Sequence, residues 1–168
     1  MRAASRFTYG VFAIPLAMGA LPLYVHPPKF YGAVFGIGLR ERALPFLDAL
    51  RAEVGQTIQL SIISGADVVY IHRLEEPRTL ARFIRSGQRV PVHASSSGKV
   101  LAAFGDTDAV LASVGRRPLE RRAPRTITSM RALRAELTAV RARGYAESVE
   151  ETWPGMASIA VPVVDPAG

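Results

Sequence analysis

The chain contains no cysteine. Disulfides, thiolate nucleophiles and thiolate metal sites are therefore excluded, and a reducing compartment suits it. Histidine is scarce. His26, His72 and His93 stand far apart, without the spacing of a metal-ligand set. Lysine is scarcer still: Lys29 and Lys99 are the only two, so the net charge of +7 rests on arginine. That balance invites a nucleic-acid reading. The densest basic run, RRPLERRAPR over 116–125, argues against it. It holds two prolines and no aromatic ring on which a base could stack, and it reads as a solvated loop. A long apolar run is missing too. TYGVFAIPLAMGALPLYV over 8–25 is interrupted by Pro15 and Pro22, too broken to span a bilayer as a helix.

What is present is the balance of a globular domain. Hydrophobic residues make up 49% and charged residues 21% of 168 residues, enough for one domain with a real core. There is no internal repeat. Residues 1–38 differ from the rest. A basic start and an apolar middle outline a secretory signal, but no small-x-small cleavage site follows. They read as an extension outside the domain, with no DNA-binding pattern in it.

From Leu39 the pattern is regular. LRERALPFLDALRAEVG puts Ala43, Leu47, Leu50 and Val54 on one helical face, with Gly55 as a stop and Pro45 as a start or kink. QTIQLSIISGADVVYIHRLE predicts a hairpin with one buried face, Ile58, Leu60 and Ile62 alternating with Thr57, Gln59 and Ser61. TLARFIRSG, from Thr79, fits either a strand or a short helix. Thr128 or Ser129 can cap a helix carrying Leu133, Leu137 and Val140 on one face, with Gly144 as its stop. Met156 to Val164 predicts a strand. Asp165-Pro166-Ala167-Gly168 is a turn signature, which calls for a further strand. The expected core therefore lacks its last strand and leaves an unpaired edge.

The chemistry lies in HASSSGKVLAAF, 93–104. A phosphate loop would need glycine where His93 stands and a hydroxyl where Val100 stands, so that reading fails. Ser96 and Lys99 fit a serine nucleophile with a lysine base, but the companion Ser-Asp-Asn and Lys-Thr-Gly elements are absent. Anion binding at a helix N-terminus needs no base: the free amides and the dipole suffice, and small serines let a carboxylate approach. On these residues alone, plain helix capping by Ser95 or Ser96 explains as much.

Several motifs in order resemble one family. They are Ala43-Leu44-Pro45-Phe46-Leu47, Gly55 to Leu60, Gly87 to Ser95, and Ser97-Gly98-Lys99 with Leu101-Ala102. Thr126 onward, Arg143-Gly144-Tyr145, Glu150-Glu151 with Gly155, and Ile159 to Val163 complete the set. Together they resemble the C-terminal effector-binding domain of IclR-type bacterial transcriptional regulators, over 39–168. The resemblance implies an α+β, GAF-like fold with a curved, mainly antiparallel sheet and packed helices. It implies a cytoplasmic homodimer or homotetramer that senses a small organic acid, with no cofactor, no metal and no catalysis. Carried over by position, the ligand-binding residues are Ser96, Ser97, Gly98, Ser148, Met156 and Ser158. Ser148 stands where the family often has an aspartate, which replaces a charged acceptor with a weaker one. DNA contact would run through a helix-turn-helix domain not seen here. Set against the family, the chain reads as C-terminally truncated.

Overall fold

The computed structural model describes residues 9–14, 35–75 and 87–163, with 9–14 and 35–37 described by their backbone alone. One six-stranded sheet organises them, in the order β4-β3-β2-β1-β6-β5. The strands are β1 (Tyr9–Ile14), β2 (Thr57–Ser64), β3 (Asp67–Leu74), β4 (Arg89–Pro91), β5 (Ala146–Val149) and β6 (Ala157–Val163). All the pairings are antiparallel. The helices are α1 (Phe35–Val54), α2 (Ser96–Phe104), α3 (Thr107–Val114) and α4 (Met130–Arg143). This is the α+β architecture with an antiparallel sheet that the sequence resemblance implies.

Alternation along β2 divides the interior in two. Ile58 and Leu60 join Leu39, Ala43, Leu47 and Leu50 of α1 on one side, with Val161 and Val163 of β6. On the other side, Val68, Tyr70, Ala146 and Ala160 pack under α2, α3 and α4. The sheet is thus covered on both faces, and the polar residues of β2 are buried with the apolar ones. The hairpin was expected to bury one face only; the helices after β4 cover the other. Between Leu60 and Ser61 the β2–β3 register shifts, so Leu60 faces His72 and Ser61 faces Tyr70. That bulge keeps Tyr70 on the α2 side.

The largest departure concerns β1. Tyr9–Ile14 lies inside the segment read as an extension, yet it is placed between β2 and β6. Gly10 faces Ser61 and Pro162, and Phe12 faces Gln59 and Ala160. The expected unpaired edge is therefore not found: β6 is paired on both sides. Pro15 directly after the strand, and Pro22 beyond it, hid it in the sequence. α1 begins at Phe35, before the expected Leu39, and runs through Pro45, which sits on its exposed side. α3 and β5 were not foreseen, while the strands and helices read at 57–74 and 130–143 were. The ambiguous segment before Gly87 and the turn at 165–168 lie outside the described residues.

Candidate effector site at the start of the second helix

The chain leaves β4 through a short 3₁₀ turn, Val92–Ala94, and enters α2 with Ser95 as the N-cap. Ser95 is extended, and its hydroxyl accepts from the Gly98 amide at 3.1 Å. The Lys99 amide donates to the Ser95 carbonyl at 3.0 Å. The first amides of a helix have no partner within it, and the cap takes only that of Gly98. The amides of Ser96 and Ser97 are left at the positive end of the α2 dipole. Gly98 is needed for a different reason. A β-carbon there would stand 2.5 Å from both the Cα and the carbonyl oxygen of Val92, and 2.7 Å from the Ser95 hydroxyl. Only glycine lets α2 press onto the 3₁₀ turn.

The fold brings most of the sequence-predicted residues together. The Ser96 and Ser158 hydroxyls meet at 2.9 Å. Ser148 faces Ser158 across the β5–β6 pair and is buried. Ser97 is wholly buried, and its hydroxyl makes no hydrogen bond of ordinary distance and angle. It lies close enough to Tyr70 to lower that phenol's pKa, against the larger effect of burial, which pushes it up to about 12. Tyr70 is therefore a neutral neighbour of the serines. Met156 is half-buried against the α2–α4 core, and its carbonyl accepts from the Glu150 amide at 2.7 Å. Two surface cavities lie elsewhere. One, of about 160 Å³, is lined by Thr107 of α3 and by Arg134, Thr138 and Arg141 of α4. Another, of about 70 Å³, runs along His93 and Arg117 to Glu120.

The loop between β5 and β6 is tied to the serine stretch from behind. The Thr152 hydroxyl donates to the Ala94 carbonyl. The Thr126 hydroxyl donates to the Glu151 carbonyl at 2.6 Å. Lys99 is buried, and its ammonium lies 2.8 Å from Glu151 Oε1 and 3.4 Å from Glu136 Oε1. Arg143 completes the group, 2.8 Å from Glu136. Burial raises the Glu151 pKa, Lys99 lowers it, and Glu136 adds to the rise. A lysine held by two carboxylates is no base for a serine, and the Ser96 hydroxyl meets Ser158 instead of Lys99. The lysine-activated nucleophile is not assembled. His93 ties the basic loop at 116–125 to the 3₁₀ turn: its Nε2 lies 3.1 Å from the Glu120 carbonyl, and burial lowers its pKa, with the Glu120 hydrogen bond opposing.

Sequence reasoning missed Gln59, Tyr70, Glu151 and Thr152. The signal for the first was present: β2 carries polar residues at alternate positions between two helical layers, so its polar face is not a solvent face. The other three depend on contacts across 50 or more residues or on the bulge in β3, which no local pattern shows.

Comparison with known proteins settles the family. A family model, Bacterial transcriptional regulator IclR C-terminal, matches residues 32–168. The chain belongs to the IclR family. Its curated relatives include the HTH-type transcriptional regulator BhcR of Paracoccus denitrificans. That protein is 38% identical over 148 residues, 86% of this chain and 53% of its own length. The IclR chain thus spans about half the length of the curated relatives it matches. Among solved structures, an IclR homolog from Microbacterium hydrocarbonoxydans, complexed with 4-hydroxybenzoate, superposes with a TM-score of 0.65. It is 28% identical, over 77% of this chain and 59% of that one. The inducer-binding domain of PobR from Acinetobacter, a double mutant complexed with 3-hydroxybenzoic acid, gives 0.60 at 27% identity, over 75% and 82%. These IclR relatives are transcriptional regulators, not enzymes. No helix among the described residues is long and apolar enough to cross a membrane.

Proposed function

We propose that this chain is the effector-sensing domain of an IclR-type regulator and that it binds a small organic carboxylate at the start of α2. One observation carries the reading: among the described residues the amides of Ser96 and Ser97 have no cap, and they stand at the dipole end beside the buried Ser148 and the half-buried Ser158. Ser97 and Ser96 give those amides to the carboxylate. Ser148 and Ser158 supply neutral hydroxyls, and Met156 an apolar edge. Gly98 enters as the residue that seats the helix, since its own amide is already taken. The relatives solved with hydroxybenzoates support an aromatic acid. The Ser96 and Ser158 hydroxyls hold each other at 2.9 Å, so an acid seated on the amides exchanges that contact for its own.

In the same reading, the domain works in the cytoplasm as a homodimer or homotetramer. Its effect on transcription passes through a separate DNA-binding domain, not through the basic loop at 116–125. Calorimetric titration with a panel of short and aromatic carboxylates tests the site. Ser97→Val is expected to weaken binding about tenfold or more by crowding the approach to the amides, with retention of the fold checked by circular dichroism and melting temperature. Unchanged affinity in that variant would remove the proposal.

A further inference from the structure

We infer that Gln59 reads a second polar group of the bound acid, a hydroxyl, so that the site prefers hydroxy acids to their unsubstituted counterparts. The inference rests on the reading that the α2 amides take the carboxylate. Thr57, Gln59 and Ser61 share the face of β2 that α2 covers, and all three are fully buried. Thr57 and Ser61 have partners. The Gln59 side chain has none among the described residues: its Oε1 and its Nε2 are both buried without a hydrogen bond. A folded chain rarely keeps a whole amide in that state, and such a group marks a place where something is missing.

The register says where that place is. Gln59 lies level with Phe12 of β1 and Ala160 of β6. Two residues along β2, Ser61 faces Tyr70, the neighbour of Ser97. Two residues before Ala160, Ser158 holds the Ser96 hydroxyl. The amide therefore sits on the floor between the two serines whose backbone starts α2. Strand spacing puts β2 and β6 about 10 Å apart across β1, a span a small acid can bridge. The chemistry follows from the group. A primary amide is neutral and both donates and accepts, which matches a hydroxyl. The neutral Tyr70 phenol beside Ser97 adds no charge to this floor.

The test uses the full chain and two variants, Gln59→Met and Gln59→Leu. Each is titrated calorimetrically with benzoate and 4-hydroxybenzoate, and with propionate and lactate, and each is melted without ligand. In the wild type, the hydroxylated member of at least one pair is expected to bind about tenfold tighter or more. Both variants are expected to lose that preference while holding the unsubstituted acid within about threefold. Unliganded, Gln59→Met is expected to melt at or above the wild-type temperature, because an unmet amide has been removed. A preference kept in both variants would overturn the inference, as would a clear fall in melting temperature in both, since the amide would then have a structural partner. If the wild type binds both members of every pair equally, the inference falls and the carboxylate site stands. If it binds no acid at all, both fall.

Discussion

Gly98→Ala is expected to destabilise the domain by about 3 kcal/mol or more, at the upper end of what overpacking costs. The new β-carbon would meet backbone on one side, Val92 Cα and its carbonyl oxygen at 2.5 Å, and the Ser95 hydroxyl on another. Backbone inside a packed core cannot swing aside as a side chain can. Relief requires α2 to lift from the 3₁₀ turn, which breaks the Ser95 cap and pulls Ser96 from Ser158. Stability and ligand affinity should therefore fall together. Gly38→Ala is the control. It lies in α1 with nothing within 4 Å of the added carbon, and alanine there should stabilise by about 0.5–1 kcal/mol. Denaturant unfolding of both variants measures the contrast. A near-neutral Gly98→Ala would show that α2 is not seated as described.

Lys99→Ala is the second large effect, about 3–5 kcal/mol at neutral pH. The substitution leaves Glu151 and Glu136, both half-buried, without their shared cation. Glu151 already has a raised pKa, first because of burial, with Lys99 opposing. A carboxyl whose pKa is raised on folding holds its proton more tightly in the folded state. Its stabilising contribution is present below the ordinary carboxylate value and is lost as pH rises through the raised one. Without Lys99 the rise is greater, so the penalty of Lys99→Ala should be largest at pH 7 and shrink toward pH 5. Adding Glu151→Gln to that variant should recover much of the loss at pH 7 and make it less dependent on pH. Urea unfolding across that range checks both statements. A penalty that is flat with pH would mean that the carboxylates find other partners.

The parts of the fold that were legible in the sequence are those whose signal is local. The β2–β3 hairpin shows in its alternation and its Gly65 turn, and α4 shows between Ser129 and Gly144, where a positive φ of 87° suits glycine. The serine stretch was readable as a helix start for the same reason. β1 was not, because its six residues are set in a run broken by prolines and its partners lie some 50 and 150 residues away. β5 was hidden by an acidic composition, although its Ala146 and Ser148 alternate with exposed Glu147 and Val149. The site was legible in its hydroxyls and not in its floor. Gln59 and Tyr70 are aimed by a two-sided sheet and a one-residue bulge, and both are products of the whole assembly.

The pairing of Tyr9 with Val163 has one more consequence. β1 enters the sheet beside the end of β6 and runs back along it, as the second arm of a hairpin would. The order in which the polypeptide visits the strands is thus separable from the neighbours each strand keeps. A circular permutant, with residue 168 joined to residue 1 and new ends opened at the exposed Gly65 turn, would keep every described pairing while sacrificing only the β2–β3 connection. The sheet is in that sense a ring of connections, in which the order of strands along the chain is a separate matter from which strands lie side by side.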